Sequence, residues 1–193
     1  MYTKQLISNL KMNNIAIIRT DTLYGIVGCA ESQEVVERMY RLKGRNHDKP
    51  YIILVHTMSD VEKFGIDLTL QKREILEKYW PGSITFILPI SKAYQDMFSY
   101  LHRGKNSLAF RMPDENYLRD LIGATCSLIA PSANPESAEP AHTIEQAKDY
   151  FGDGVDMYID EGAVPTDTPA STIVDLTTKN PRVVREGSVK FVT

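Results

Sequence analysis

The sequence predicts one α/β domain, residues 1–193, built on a twisted and mixed β-sheet. Apolar runs of strand length alternate with amphipathic helical patterns along almost the whole chain. Several short strand patterns in the second half have no full helix between them, which favours a mixed sheet over a doubly wound parallel one. A length of 193 residues and a hydrophobic content of 42% are ordinary for a single globular domain.

The N-terminal half carries the clearest helix and strand signals. The spacing of Leu6 and Leu10 predicts a short helix before a buried strand at Ile15–Ile18. Ser32 is a good N-cap for the next helix, which Gly44 ends. No strand is assigned between residues 19 and 31. The remaining elements of this half are a strand at 51–55, a short helix with a Ser59–Glu62 capping box, a helix at 69–80 and a strand at 84–88.

The C-terminal half reads as short strands with two intervening helices. A strand is predicted at 107–111, and the stretch 91–106 gives no clear pattern. Helices are predicted near 115–122 and at 143–151, where Thr143 and Gln146 have capping-box spacing. Further short strands are predicted at 127–130, 157–160, 171–176 and 182–185.

Charge, hydropathy and cysteine usage exclude several classes of protein. The 22 Lys and Arg residues against 25 Asp and Glu residues give a net charge of −3, which argues against a protein that mainly coats nucleic acid. No run approaches about 20 apolar residues, so no spanning helix is expected, and the first residues do not resemble a secretory signal. Cys29 and Cys126 are distant in sequence, which argues against a disulfide or a zinc site and favours a cytoplasmic location.

Polar segments follow or precede several predicted strands, where open α/β sheets place ligands. Standard phosphate-binding signatures are absent from the sequence, so scattered side chains would have to hold a phosphate compound. The basic loop 43–50 fits phosphate binding, and it fits an ordinary solvated loop as well. The segments 19–25 and 130–135 are equally explained as a ligand-binding turn or as a turn with local hydrogen bonds. On the residues alone, the sequence predicts an anion-binding α/β domain and leaves the reaction open.

An ordered set of motifs indicates which reaction to expect. The set consists of Arg19–Ile26, Lys43-Gly-Arg45 followed by Lys49-Pro50, Trp80–Thr85, Phe110–Pro113, Pro131–Asn134, Ser171–Asp175 and Arg185–Gly187. Together these motifs resemble those of the YrdC-type threonylcarbamoyl-AMP synthases, over roughly residues 5 to 190 and in the family's order. The chain is similar to the short, single-domain members. It departs from the family at Arg19 and Ser83, which stand in place of prolines, and in the segment 135–139.

The resemblance implies a fold and a reaction. The implied fold is a YrdC-like open sheet, twisted and mostly mixed parallel and antiparallel, flanked by helices and enclosing a large, concave, basic cavity. The implied activity makes threonylcarbamoyl-AMP and pyrophosphate from L-threonine, bicarbonate and ATP, with Mg²⁺ accompanying the ATP. The product would feed the tRNA threonylcarbamoyl-transferase machinery, which modifies the adenosine next to the anticodon. No membrane partner is implied.

The resemblance also implies residue roles, carried over motif by motif. The implied threonine contacts are Thr22, Arg111, Ala130 and Ser171. The implied nucleotide contacts are Arg45, Lys49, Ser107, Ser132, Asn134 and Arg185. Lys43 and Arg45 are the implied catalytic cations, and no side chain is implied as a metal ligand. Two alternatives stay open: a paralogue in the same fold that acts on another carbamoyl or acyl substrate, and a ribosome-associated module that binds double-stranded RNA.

Overall fold

The computed structural model describes residues 4–165 and 170–192. Helices in these residues span Lys4–Lys11 (α1), Gln33–Lys43 (α2), Met58–Lys63 (α3), Leu70–Tyr79 (α4), Ser99–His102 (α5), Asn116–Ala124 (α6) and Ile144–Phe151 (α7). Strands span Ala16–Arg19 (β1), Tyr24–Cys29 (β2), Ile52–Leu54 (β3), Ile84–Pro89 (β4), Ser107–Arg111 (β5), Leu128–Ile129 (β6), Met157–Tyr158 (β7), Thr172–Asp175 (β8) and Arg182–Arg185 (β9). Short 3₁₀ helices occupy Lys92–Tyr94 and Gly152–Gly154. None of the helices in the described ranges is both long and apolar enough to cross a bilayer.

The strands form one mixed sheet in the order β7-β1-β2-β6-β3-β5-β4-β8-β9. The pairs β1–β7, β3–β5 and β4–β8 are parallel, and the other neighbouring pairs are antiparallel. This arrangement confirms the predicted mixed α/β sheet. It also explains the short C-terminal strand patterns, because β8 and β9 form an antiparallel pair at one edge that needs no connecting helix.

The side-chain period of two divides the sheet between two cores. On β1, Ile17 packs with α2 and the larger core, whereas Ala16 and Ile18 pack with α1 and α6 on the other face. The strand β5 has the same alternation, since Leu108 and Phe110 lie in the larger core. Helices therefore flank both faces, and the face covered by α1 and α6 opens into a cavity beyond β6.

Most element predictions are confirmed, and two helix caps differ in detail. The strands β5 and β9 have the predicted bounds, and Ser32 and Gly44 cap α2 as expected. The prediction of a Ser59–Glu62 capping box is wrong, because Thr57 and Asp60 form that box. At α7, Thr143 accepts from the Gln146 N–H, but the Gln146 side chain accepts from the His142 N–H instead of closing the box.

The strand β2 is the principal element that sequence patterning missed. It is buried along its whole length and pairs with β1 and β6 in the sheet. Two glycines interrupt its apolar pattern and make the segment read as a loop. Gly28 is required by packing, because a Cβ atom there would overlap the Val35 side chain of α2.

The expectation of no disulfide is also wrong. The structure joins Cys29 and Cys126 as a disulfide, with their Cα atoms 5.8 Å apart. The pairing of β2 with β6 brings them together, since Cys29 lies opposite Leu128. Because the two cysteines are 97 residues apart in the sequence, local patterns do not predict this contact.

Candidate functional site

A cavity of about 540 Å³ opens on the sheet face beyond α1 and α6. The alternation of β5 determines its floor, because Ser107, Ala109 and Arg111 line the cavity while the intervening residues enter the core. Residues from β3, β4, β8 and β9 extend the floor on both sides of β5. The turn after β1 and the segment after β6 form the walls, so polar segments from distant parts of the sequence meet in one site.

The charges on the cavity wall have one sign. The cationic lining residues are Arg45, Lys105, Arg111 and Arg185. Among the described residues that line the cavity, none is an aspartate or a glutamate. The lining also carries hydroxyl groups from threonine and serine side chains. This combination suits a ligand with several negative charges.

Arg111 is held by a carboxylate from outside the cavity wall. Its Nη1 and Nη2 atoms donate to the two oxygens of Asp21, at 3.1 and 2.8 Å. Both side chains are largely buried, with 8% and 14% of their surfaces exposed. A bidentate pair of this kind fixes the plane of a guanidinium group. Asp21 therefore orients Arg111 and uses two of its five N–H donors.

The turn that carries Asp21 is stabilised by a threonine side chain. The Thr20 hydroxyl donates to the carbonyl of Leu23 at 2.7 Å and accepts from the Thr22 and Leu23 N–H groups, both at 3.3 Å. These local bonds stabilise the conformation of the turn, and the pairing of Asp21 with Arg111 adds a contact with β5. They bring Thr22 to the cavity wall close to Arg111.

A second guanidinium group lies against β8. Arg185 donates from Nε and Nη2 to the Ser171 carbonyl, at 3.1 and 2.8 Å, and the Ser171 hydroxyl pairs with that of Thr85 at 2.9 Å. Burial, and to a smaller extent the charge of Arg111, lowers the pKa of Arg185. The two guanidinium groups therefore repel each other across the cavity, and a bound anion would relieve that repulsion.

The segment after β6 is held from two sides. On one side it continues the pairing with β2, since Ile26 N–H donates to the Pro131 carbonyl at 3.0 Å and Ala133 N–H donates to the Tyr24 carbonyl at 2.8 Å. On the other side the Lys43 ammonium group donates to the Ser132 carbonyl at 2.6 Å and to the Asn134 carbonyl. Ser132 is thereby presented on the cavity wall.

Lys43 itself lies behind the wall. Its side chain is 2% exposed, at the end of α2, and its ammonium group faces backbone carbonyls. Burial, reinforced by the charge of Arg45, lowers the pKa of Lys43 to about 8. In this geometry the Lys43 ammonium group holds the segment that carries Ser132.

The rest of the basic loop is braced by the segment that departs from the family pattern. Arg45 donates to the Lys49 carbonyl at 3.0 Å and stacks over the Tyr51 ring at 5.0 Å. The Lys49 ammonium group pairs with the carboxylate of Glu136, which also accepts from the Asn46 N–H at 2.7 Å. The segment 135–139 is thus packed against the basic loop, and Glu136 neutralises one of the loop's cations.

The structure brings eight of the eleven predicted site residues to one cavity. They are Thr22, Arg45, Ser107, Arg111, Ala130, Ser132, Ser171 and Arg185. Lys43, Lys49 and Asn134 lie outside the lining, and Asn134 donates to the Pro135 and Ala138 carbonyls at 2.8 and 2.7 Å.

Sequence reasoning missed Lys105 and Tyr51 as lining residues. The position of Lys105 could have indicated that it lines the cavity, because it lies two residues before a strand that carries a predicted site serine and arginine. Tyr51 has no such signal, because it reads as the first residue of a buried strand. Pro140, which follows the departing segment, also lines the cavity.

Comparisons with known proteins agree with this architecture. The family model Sua5_yciO_yrdC, described as "Telomere recombination", matches residues 8–187. A Mycobacterium tuberculosis protein, provisionally named threonylcarbamoyl-AMP synthase, is 31% identical over 181 residues, which cover 93% of this chain and 81% of that protein. The threonylcarbamoyl-AMP synthase of Pyrococcus abyssi is 28% identical over 184 residues, covering 93% of this chain and 52% of its own length.

A solved structure of a related protein also matches this chain. The structure of P. abyssi Sua5 complexed with L-threonine matches with a TM-score of 0.82 and 25% identity, over 95% of this chain and 53% of the other. The chain therefore spans about half the length of that protein. The family match and the M. tuberculosis relative each cover nearly all of this chain. The chain belongs to the Sua5/YciO/YrdC family.

Proposed function

We propose that this chain is a threonylcarbamoyl-AMP synthase, a nucleotidyltransferase that acts on L-threonine, bicarbonate and ATP. The observation that carries the proposal is the convergence of the implied threonine contacts and most of the implied nucleotide contacts on one cavity. Relatives named threonylcarbamoyl-AMP synthase support this activity over that of a paralogue with another substrate. The P. abyssi neighbour was solved with L-threonine bound, which supports an amino-acid substrate.

Threonine is assigned to the side of the cavity at Arg111. The guanidinium group, held by Asp21, has donors left to pair with the substrate carboxylate. The hydroxyl groups of Thr22 and Ser171 are the partners for the polar atoms of the substrate, and Ala130 contributes backbone. A cavity that binds both a carboxylate and a hydroxyl group can distinguish threonine from amino acids that lack a side-chain hydroxyl group.

ATP is assigned to the side formed by the basic loop and the segment after β6. Arg45 and Lys105 supply positive charge for the phosphates, and Ser107 and Ser132 supply hydroxyl groups. Arg185 lies between the two substrates. Lys43 acts through Ser132, whose carbonyl it binds, and does not touch the nucleotide.

The reaction proceeds in two steps that need no protein nucleophile. The deprotonated amine of threonine attacks the carbon of bicarbonate, a C–N bond forms, and water leaves to give a carbamate. A carbamate oxygen then attacks the α-phosphorus of ATP, the bond to the β-phosphate oxygen breaks, and pyrophosphate leaves. Negative charge builds on phosphate oxygens during this step, so the cations and N–H groups of the wall supply most of the rate through positioning and electrostatic stabilisation.

Mg²⁺ is assigned to the substrate as the ATP complex. The described lining residues include no carboxylate, and the nearby carboxylate of Asp21 is occupied by Arg111. Mg²⁺ keeps several waters and binds phosphates together with few protein groups. Its chemistry here is to neutralise phosphate charge, while the arginines and lysines of the chain orient the phosphates.

Mass spectrometry of the purified chain with ATP, Mg²⁺, bicarbonate and L-threonine tests the proposal. Threonylcarbamoyl-AMP should form in the complete mixture and disappear when any one component is omitted. ATP binding without this product would favour a paralogue with another substrate. RNA binding with a steep salt dependence and no ATP turnover would favour the RNA-binding alternative. Transfer of the product to tRNA by a separate enzyme follows from the proposed activity.

A further inference from the structure

Three metal-ligating side chains converge at the end of β2 opposite to the cavity. Ala30 and Glu31 form a turn at the end of β2, which the Ser32 N–H closes by donating to the Cys29 carbonyl at 3.3 Å, and this turn places Cys29 Sγ 3.1 Å from Glu31 Oε2. The ladder continues past the strand ends, because Ala30 N–H donates to the Ser127 carbonyl at 2.8 Å. The register of β2 with β6 pairs Cys29 with Leu128, and Cys126, two residues before Leu128, has its Cα atom 5.8 Å from that of Cys29. The strand pairing and the turn after β2 together therefore bring the three side chains to one place.

The donor atoms are close enough for one ion. The two Sγ atoms and a carboxylate oxygen of Glu31 all lie within 4.8 Å of one another. Cys29 is buried, Cys126 is half-buried and Glu31 is exposed, so one side of the cluster is open to solvent. Two thiolates and a carboxylate are ligands that Zn²⁺ accepts, and a water molecule can complete its tetrahedral coordination.

We propose that, with the disulfide reduced, Cys29, Cys126 and Glu31 bind a thiophilic divalent cation of the Zn²⁺ type. Reduction of the disulfide by a dithiol releases two thiols and leaves the dithiol oxidised. Each thiol then loses a proton to become a ligand. The ion and the disulfide use the same two sulfur atoms, so they exclude each other. Intracellular reducing conditions favour the thiol form of such a pair.

The site is separate from the proposed reaction. None of its three residues lines the cavity, and residues at the other end of β2 do. A bound ion would tie β2 to the segment before β6, stabilising the centre of the sheet without touching either substrate. The proposal therefore does not depend on the proposed function, and its test needs no enzyme activity.

The first experiment titrates the full chain with Co²⁺, which reports thiolate ligation through its charge-transfer absorption. The chain has two cysteines, so the signal has one possible origin. The reduced protein should develop the absorption with one Co²⁺ per chain and lose it to Zn²⁺. The oxidised protein, whose sulfurs are occupied, is the matched control and should remain silent. Absence of the signal in the reduced protein would overturn the proposal.

The second experiment measures Zn²⁺ affinity by competition with a chromophoric chelator. Cys29→Ser and Cys126→Ser should each weaken binding by more than about tenfold, since loss of even an outer partner of a metal site costs about 10–100-fold. Glu31→Gln should also weaken binding, whereas Glu34→Gln, an exposed neighbour on α2, should not. Unchanged affinity in either cysteine variant or in Glu31→Gln would refute the three-ligand site. Zn²⁺ should also raise the melting temperature of the reduced wild type, which reports binding without any variant.

Discussion

Replacement of Lys43 by methionine separates a positioning role from direct contact with ATP. Methionine keeps much of the length of the side chain and removes the charge. The carbonyls of Ser132 and Asn134 then lose their shared donor. If that donor positions the wall segment, kcat should fall by about 100-fold, a magnitude typical of a displacement of about 1 Å in a reacting site. The KM for threonine should change little, because Lys43 holds the segment that carries Ser132, whereas Arg111 is held by Asp21.

The stability of the same variant follows from two opposing terms. The Asn134 carbonyl, left without its Lys43 donor, costs about 1–3 kcal/mol, whereas the Ser132 carbonyl still accepts from the Asn134 N–H at 3.0 Å. Against this, a pKa lowered from 10.5 to about 8 means that burial of the ammonium group costs up to about 3 kcal/mol at neutral pH, at 1.36 kcal/mol per pKa unit. The variant does not bear that cost. We therefore expect a net change in unfolding free energy below about 3 kcal/mol at pH 7, and a folded protein.

The pH dependence gives the sharper test of buried Lys43. Its folded pKa is below its unfolded pKa, so the folded state is penalised at low pH and the penalty disappears as the pH rises from about 8 to 10.5. Across that window, the unfolding free energy of the wild type should thus rise by up to about 3 kcal/mol relative to that of the Lys43→Met variant. Urea unfolding at pH 7 and 10, with pyrophosphate release as the activity assay, measures both effects.

The control for this variant is Arg41→Met, which removes an exposed cation from the same helix. It should leave kcat and the pH dependence of stability unchanged. A wild-type kcat in Lys43→Met would refute the positioning role. A stability difference that does not vary with pH would show that the Lys43 ammonium group is not held in a desolvated site.

Three further predictions follow from the same contacts. Arg45→Ala should lower turnover by about 100-fold with the fold retained, since its guanidinium group bonds only loop carbonyls among the described residues; circular dichroism and kinetics check both parts. Asp21→Asn should raise the KM for threonine at least about tenfold through misorientation of Arg111, with the KM for ATP unchanged; equal changes in both constants would contradict this. Gly28→Ala should destabilise the fold by about 1–3 kcal/mol through overlap with Val35, as measured by urea unfolding.

The parts of the fold that the sequence predicts are those governed by local physics. The α2 helix is defined by a serine that accepts from the Val35 N–H and by a glycine in the left-handed conformation, and both signals are local. The strand β5 alternates between cavity and core, so its bounds and its site residues follow from the pattern. The strand β2 is not predicted, because its glycines allow close packing against α2. This tertiary contact cannot be read from a local stretch of sequence.

The candidate site also has a part that the sequence predicts and a part that it does not. The motifs identify which segments converge, because the order of motifs along the chain is a property of the sequence. They do not determine which side of the wall a charged side chain occupies. Lys43 and Arg45 share one motif, yet Lys43 is 2% exposed and binds carbonyls, whereas Arg45 lines the cavity. Gly44, between them, ends α2 in the left-handed conformation, so the chain turns there and the two side chains leave in different directions.

The backbone of the wall explains why a buried lysine lies next to the proposed phosphate-binding residues. The segment after β6 must present Ser132 to the cavity, and its carbonyls then point away from the cavity into the protein. Buried carbonyls need donors, and the Asn134 carbonyl obtains one from Lys43, whereas the Ser132 carbonyl also accepts from the Asn134 N–H at 3.0 Å. A lysine from the end of α2 reaches both carbonyls with one flexible side chain. Under the proposed function, the motif therefore supplies one residue for the ligand, Arg45, and one for the backbone of the segment that carries Ser132, Lys43. A variant with arginine at position 43 and lysine at position 45 keeps both charges and should still lose turnover.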